Sequence, residues 1–150
     1  MKFKIPPPFV FLISFGLLKL IDFVNDDFVI HLPYQVIISS VFILLGVAAG
    51  VLGILEFRKH KTTVDPSDPN KASTIVTTSI YRFTRNPMYL GMALVLFGII
   101  IRYGNPLTLV SIVFLVWYLT QFQIKPEEEI LKEKFGESYQ DYLEKVRRWV

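Results

Sequence analysis

Tyr81-Arg82-Phe83-Thr84-Arg85-Asn86-Pro87-Met88-Tyr89 packs aromatic rings, guanidinium groups and an amide into one short run, and Glu127-Glu128-Glu129 is its acidic counterpart farther along the chain. These residue types suit a cation that also carries an amino group. Tyrosine faces attract a positive sulfonium or ammonium, and a carboxylate binds an amino group through charge-assisted hydrogen bonds. Other chemistries lack their parts: the polar segments hold no nucleophile elbow, no phosphate-binding glycine loop and no Ser, His and Asp set. The chain has no cysteine, which excludes disulfides, thiolate chemistry and zinc fingers. His31 and His60 have no partner at metal-ligand spacing, so no metal is expected.

The elements that must position these groups are apolar. A chain of 150 residues with 52% hydrophobic content is too oily for a soluble domain of its size, and it reads as an all-α integral membrane protein with a single domain over 1–150. About four transmembrane helices are expected, near 8–24, 36–55, 88–101 and 107–124, against a hydrocarbon core of about 30 Å. Lys19 and Asp22 fall toward the far end of the first span, where long side chains snorkel to the interface. Pro87 fits the first turn of the third span, which puts Tyr81 to Asn86 at the membrane surface or in a protein-lined cavity. Pro6-Pro7-Pro8 and the lack of a small-residue cleavage site mark the first span as retained.

Basic residues are unevenly placed. They precede the first span, fill the segment between the second and third, and follow the fourth, whereas the segment 25–35 offers Asp26 and Asp27 without Lys or Arg. The positive-inside rule then sets both termini and the long loop in the cytoplasm. The net charge of +3 is explained by this pattern and by anionic lipid headgroups, and no nucleic-acid partner is expected.

Between the second and third spans, Asp65 to Asn70 is dense in turn formers, and Ala72 to Thr78 has little helix preference. Pro126 suits the start of a new helix with Glu127, Glu128 and Glu129 in its first turn. Beyond Gly136, the residues Tyr139, Tyr142, Leu143, Val146 and Trp149 share one face with Phe135, predicting a cytoplasmic, C-terminal amphipathic helix in the interface plane. Gly46 and Gly50 form a small-xxx-small pair that serves either this bundle or a homodimer, and Gly91 and Gly98 read as close-packing positions.

The run Tyr81-x-x-x-Arg85-Asn86-Pro87-Met88-Tyr89-x-Gly91 is followed by Glu127-Glu128-x-x-Leu131-x-x-x-Phe135-Gly136-x-x-Tyr139-x-x-Tyr142-x-x-x-Val146-x-Arg148-Trp149. Together they resemble the membrane-embedded isoprenylcysteine carboxyl methyltransferases and the related phospholipid methyltransferases. The resemblance covers about residues 58–149 and includes Thr62-Thr63-Val64-x-Pro66. It implies that this half encloses S-adenosyl-L-methionine while a lipophilic or lipid-anchored methyl acceptor arrives from the membrane. Carried over residue by residue, the cofactor contacts are Ser73, Thr74, Ile75, Val76, Tyr81, Asn86, Pro87, Met88, Tyr89 and Glu127. Glu127 would hold the cofactor's amino group, and Tyr81 and Tyr89 would wall its ring or sulfonium. Arg85 and Gln123 stand on the acceptor's side, and Glu128 is the candidate general base if the acceptor is an amine or hydroxyl.

The chain departs from the family's pattern at three places. Asn86 stands where the eukaryotic members have histidine, and Ser79-Ile80 replaces a glycine-hydrophobic pair before the motif tyrosine. Gln123 aligns with an arginine used near the acceptor carboxylate and cannot neutralise it as a guanidinium does. Two other classes compete: a small four-helix transporter or scaffold without catalysis, and a nicotinamide-dependent membrane reductase.

Overall fold

A computed structural model describes residues 5–25, 27–60 and 73–150, and among these no strand occurs. The turn formers 65–70 and the match at 62–66 lie outside the described residues. Helix α1 (Pro7–Val24) starts on a proline in its first turn, where the missing N–H has no intrahelical partner to lose. Helix α2 (Gln35–Lys59) runs 25 residues, about 37 Å at the α-helical rise. Helix α3 (Pro87–Tyr103) opens on Pro87 and stops at Gly104, whose φ of 73° is the left-handed conformation that glycine adopts without steric cost.

After a short 3₁₀ turn at Pro106–Thr108, α4 (Leu109–Leu119) passes without a break through one π turn (Thr120–Ile124) into α5 (Lys125–Phe135). Pro126 suits a helix start by its fixed torsion. Instead the backbone continues, because the π turn accommodates the ring: Lys125 N–H bonds Thr120 O, five residues back, across the turn just before the proline. Gly136, at φ 56°, separates α5 from α6 (Glu137–Lys145). The predicted amphipathic helix also ends sooner than its apolar spacing suggested. Val146 is extended at φ −124° and ψ 131°, and the carbonyls that follow it bond to the segment ahead of α3 rather than to a further helical turn.

Among the described residues, three stretches are long and apolar enough to cross a membrane: Pro7–Val24, Gln35–Lys59 and Pro106–Phe135. The expected third span, α3, is a shorter apolar helix of 17 residues. It is nonetheless the centre of the bundle. Val10 and Leu18 of α1, Leu96 and Ile100 of α3, and Leu115 and Leu119 of α4 are buried together, while large apolar side chains cover the outward faces of α1, α2 and α4.

Against the other side of α3 lies α2, antiparallel and in backbone contact. A Cβ added at Gly46 would stand 2.6 Å from Gly91 O, one at Gly91 would meet Gly46 O at 2.6 Å, and one at Gly98 would meet Ser39 O at 2.8 Å. Ser39 Oγ donates to Gly98 O at 2.8 Å, and Gln35 Nε2 donates to Ile101 O at 2.7 Å. Gly46 and Gly91 thus act inside this bundle, where small residues let two backbones meet.

Candidate active site

The polar residues gather at the end of the bundle where α2 ends and α3 begins. A 3₁₀ turn at Ser79–Arg82 reverses the chain, and Ser79 there takes φ 54°, the left-handed region in which a Cβ is strained. The turn drives Tyr81 inward, where it is 4% exposed and meets Phe57 of α2 edge-on at 5.3 Å between centroids. Tyr142 of α6 donates its hydroxyl to Tyr81 O at 2.7 Å, so α6 is pinned to this turn.

A cavity of about 270 Å³ opens between these elements. Of the ten expected cofactor contacts, Thr74, Ile75, Val76, Tyr81, Asn86, Pro87, Met88, Tyr89 and Glu127 line it, and Ser73 does not. Arg85 and Glu128 also line it; Gln123 is buried in the π turn beside Tyr89 and is absent from the wall. The π turn and α5 carry Glu127 to α3, where Tyr89 Oη donates to Glu127 Oε1 at 2.8 Å.

Glu128, the expected base, accepts two hydrogen bonds from Arg148, Nε at 3.0 Å and a terminal nitrogen at 2.6 Å, and pairs with Arg85 at 3.4 Å. Its side chain is 10% exposed. The Arg148 guanidinium is held more firmly protonated by these bonds to Glu128. Tyr81, Tyr139 and Tyr142 all have their phenol pKa pushed up, mainly by burial, so each stays neutral and can donate a hydrogen bond at physiological pH. Two buried polar atoms of the cavity wall, Tyr81 Oη and Arg85 Nε, have no hydrogen-bond partner among the described residues.

Sequence reasoning missed several wall residues. Phe57, Met92 and Leu131 look like ordinary span or helix positions. Tyr139 and Tyr142 belong to the expected apolar face, and these two of its residues line the cavity. Arg148 stands behind the wall, and nothing local signals its pairing with a carboxylate 20 residues earlier.

A family profile described as phospholipid methyltransferase matches residues 34–138. The chain is 40% identical over 63 residues, 42% of its length, to the whole of an uncharacterized protein of Haemophilus influenzae. It is 26% identical over 109 residues to a probable protein-S-isoprenylcysteine O-methyltransferase of Oryza sativa, covering 73% of this chain and 57% of the relative. A protein-S-isoprenylcysteine O-methyltransferase of Xenopus laevis is 27% identical over 110 residues, covering 73% of this chain and 38% of the relative. The chain thus spans roughly half or less of the named relatives it matches. No solved structure matches.

Proposed function

We propose a methyl-transfer function from a premise that the match over residues 34–138 establishes: the chain belongs to the phospholipid methyltransferase family. In this reading the chain crosses the membrane four times, α3 being the short third span, with both termini and the site end in the cytoplasm. The cavity takes S-adenosyl-L-methionine, and the acceptor is a lipidic or lipid-anchored molecule arriving from the bilayer. The observation that carries the proposal is the Tyr89–Glu127 hydrogen bond, which fixes a carboxylate on the wall of a tyrosine-rich cavity.

The residues present fit such a cofactor. Glu127 suits an amino group, the faces of Tyr81 and Tyr89 suit a sulfonium, and the partnerless Tyr81 Oη offers a hydrogen bond. S-adenosyl-L-methionine, when bound, supplies a methyl group that a nucleophile displaces in line. What the protein contributes is alignment and exclusion of water, worth up to about 7–11 kcal/mol in well-oriented intramolecular reactions.

Glu128 is the one residue here offered as a base, and its two oxygens already face two guanidinium groups. A carboxylate with both oxygens so committed serves as a fixed counter-ion rather than as a group that approaches an acceptor. We therefore read Glu128 as the anchor for Arg85 and Arg148, which favours an acceptor that is already an anion, and hence O-methylation of a carboxylate. Arg85, with Nε buried and partnerless at the cavity wall, then stands in for the arginine missing at Gln123 as the group that meets the acceptor carboxylate.

An apolar groove of about 470 Å³ between α1, α2 and α3 shares Pro8, Met88 and Met92 with the cofactor cavity, and we assign it to the acceptor's hydrocarbon chain. The test is calorimetric titration of S-adenosylhomocysteine into the detergent-purified protein and its Glu127→Ala and Tyr89→Ala variants. Micromolar binding that both substitutions abolish supports the site; absence of binding by folded wild type rejects it in favour of a transporter or scaffold.

A further inference from the structure

The segment after α6 contributes no residue to the wall of the cavity, yet it grips three that do. Arg85 N–H donates to Arg147 O at 3.1 Å, Asn86 Nδ2 donates to Arg148 O at 2.9 Å, and the Arg148 side chain forks onto Glu128. The same carbonyl of Arg148 also accepts from buried Thr84 Oγ1 at 3.4 Å. One residue farther on, Trp149 Nε1 donates to Thr120 Oγ1 at 3.2 Å, which fastens the segment to the π turn.

An extended backbone is what makes this grip work. In a further helical turn these carbonyls would point along the helix axis toward their own N–H partners. With Val146 extended, they turn sideways to receive donors from the segment ahead of α3. Asn86 and Arg85 stand ahead of α3, and Glu128 stands on α5, so the strap ties together, from behind, two walls that no short connection joins.

We propose that Val146–Trp149 is the strap that sets the spacing of the cofactor cavity, and that Arg148 is its positioning residue, acting through Asn86, Arg85 and Glu128 without touching the ligand. The proposal rests on the cavity being the cofactor site. Because docking of the strap and binding in the cavity draw on the same wall residues, they are coupled. Whatever factor strap release costs the ligand, the ligand returns as resistance to release.

Trp117 and Trp149 are the two tryptophans of the chain, so Trp117→Phe leaves Trp149 as the reporter of docking. In that background, wild type, Arg148→Gln, Arg148→Lys and Thr120→Val are titrated with S-adenosylhomocysteine by calorimetry, and Trp149 emission and acrylamide quenching are followed. Helical circular dichroism checks that each variant is folded. Arg148→Gln is expected to red-shift Trp149 and weaken binding about tenfold or more, within the usual span of coupling between sites. Arg148→Lys, which keeps charge without the planar fork, should recover part of both effects. Thr120→Val releases the strap at a residue that does not itself line the cavity and should weaken binding in the same direction. Saturating ligand should reduce quenching of Trp149 in the parent.

Folded variants with a released Trp149 and unchanged affinity would overturn the proposal while leaving the cofactor site intact. A folded parent that binds no S-adenosylhomocysteine would overturn both.

Discussion

Tyr89 and Glu127, 38 residues apart in sequence, are joined by a 2.8 Å hydrogen bond that ties α3 to α5 at the floor of the cavity. The bond holds a carboxylate in a partly buried, aromatic setting where its orientation is decided before any ligand arrives. Removing the phenol therefore costs orientation, and removing the charge costs the interaction itself.

Tyr89→Phe removes the orienting bond but leaves the charge of Glu127 in place, and it is expected to weaken S-adenosylhomocysteine binding by roughly 0.5–1.5 kcal/mol, the net value of a typical hydrogen bond. Glu127→Gln should cost more, about 1.5–3 kcal/mol or roughly 10- to 100-fold in affinity, because a charged partner is lost. Calorimetry on both variants checks the order; a Tyr89→Phe effect exceeding that of Glu127→Gln would contradict the assignment of the amino group to Glu127.

Glycines of α2 and α3 separate packing from groove. Gly91→Ala drives a methyl to 2.6 Å from Gly46 O, and overpacking of this kind costs about 1–3 kcal/mol, read as a lower unfolding temperature in detergent. Gly50 also lines the groove, but a Cβ there meets nothing within 4 Å. Gly50→Leu should fold as well as wild type and bind S-adenosylhomocysteine unchanged, yet raise KM for long-chain S-alkylcysteine acceptors and spare short-chain ones. Equal effects on both chain lengths would remove the groove from the acceptor's path.

The apolar helices, the start of α3 at Pro87, the break at Gly136 and nine of the ten residues expected around the cavity were legible because each rests on local chemistry: apolar runs, fixed proline torsion, and a compact aromatic motif. What escaped was non-local. Continuity through Pro126 depends on a π turn with no composition signal, and the early end of α6 depends on donors from Arg85 and Asn86, more than 60 residues upstream of the carbonyls they reach. The pairing of Glu128 with Arg148 escaped for the same reason: it is invisible until the chain folds back.

Ser79 is a local rule broken in place. Its φ of 54° is the conformation for which the family's pattern supplies glycine, and a side chain there costs about 1–2 kcal/mol. Glycine recovers most of that strain and loses some to the greater freedom of its unfolded chain. Ser79→Gly should therefore stabilise the protein by about 0.5–1 kcal/mol and leave the Tyr81 turn intact, seen as a higher unfolding temperature with unchanged ligand affinity. A lower unfolding temperature would mean the serine hydroxyl is needed in the turn.

Alkaline titration tests the burial of the cavity's phenols. Tyr81, Tyr139 and Tyr142 have pKa values raised above the ordinary value near 10, chiefly by desolvation, so the folded protein keeps protons that the unfolded chain gives up. Their contribution to stability is complete below about pH 10 and is lost as pH rises from there toward the folded values, by up to about 1.4 kcal/mol per pH unit for each tyrosine. Phenolate absorbance from these three should consequently appear together with the loss of helical circular dichroism, not before it. Tyr139→Phe removes one such proton, so the stability of that variant should fall less steeply with pH above 10. If the wild-type and Tyr139→Phe slopes are equal, Tyr139 is open to water, and the cavity wall is wetter than its packing indicates.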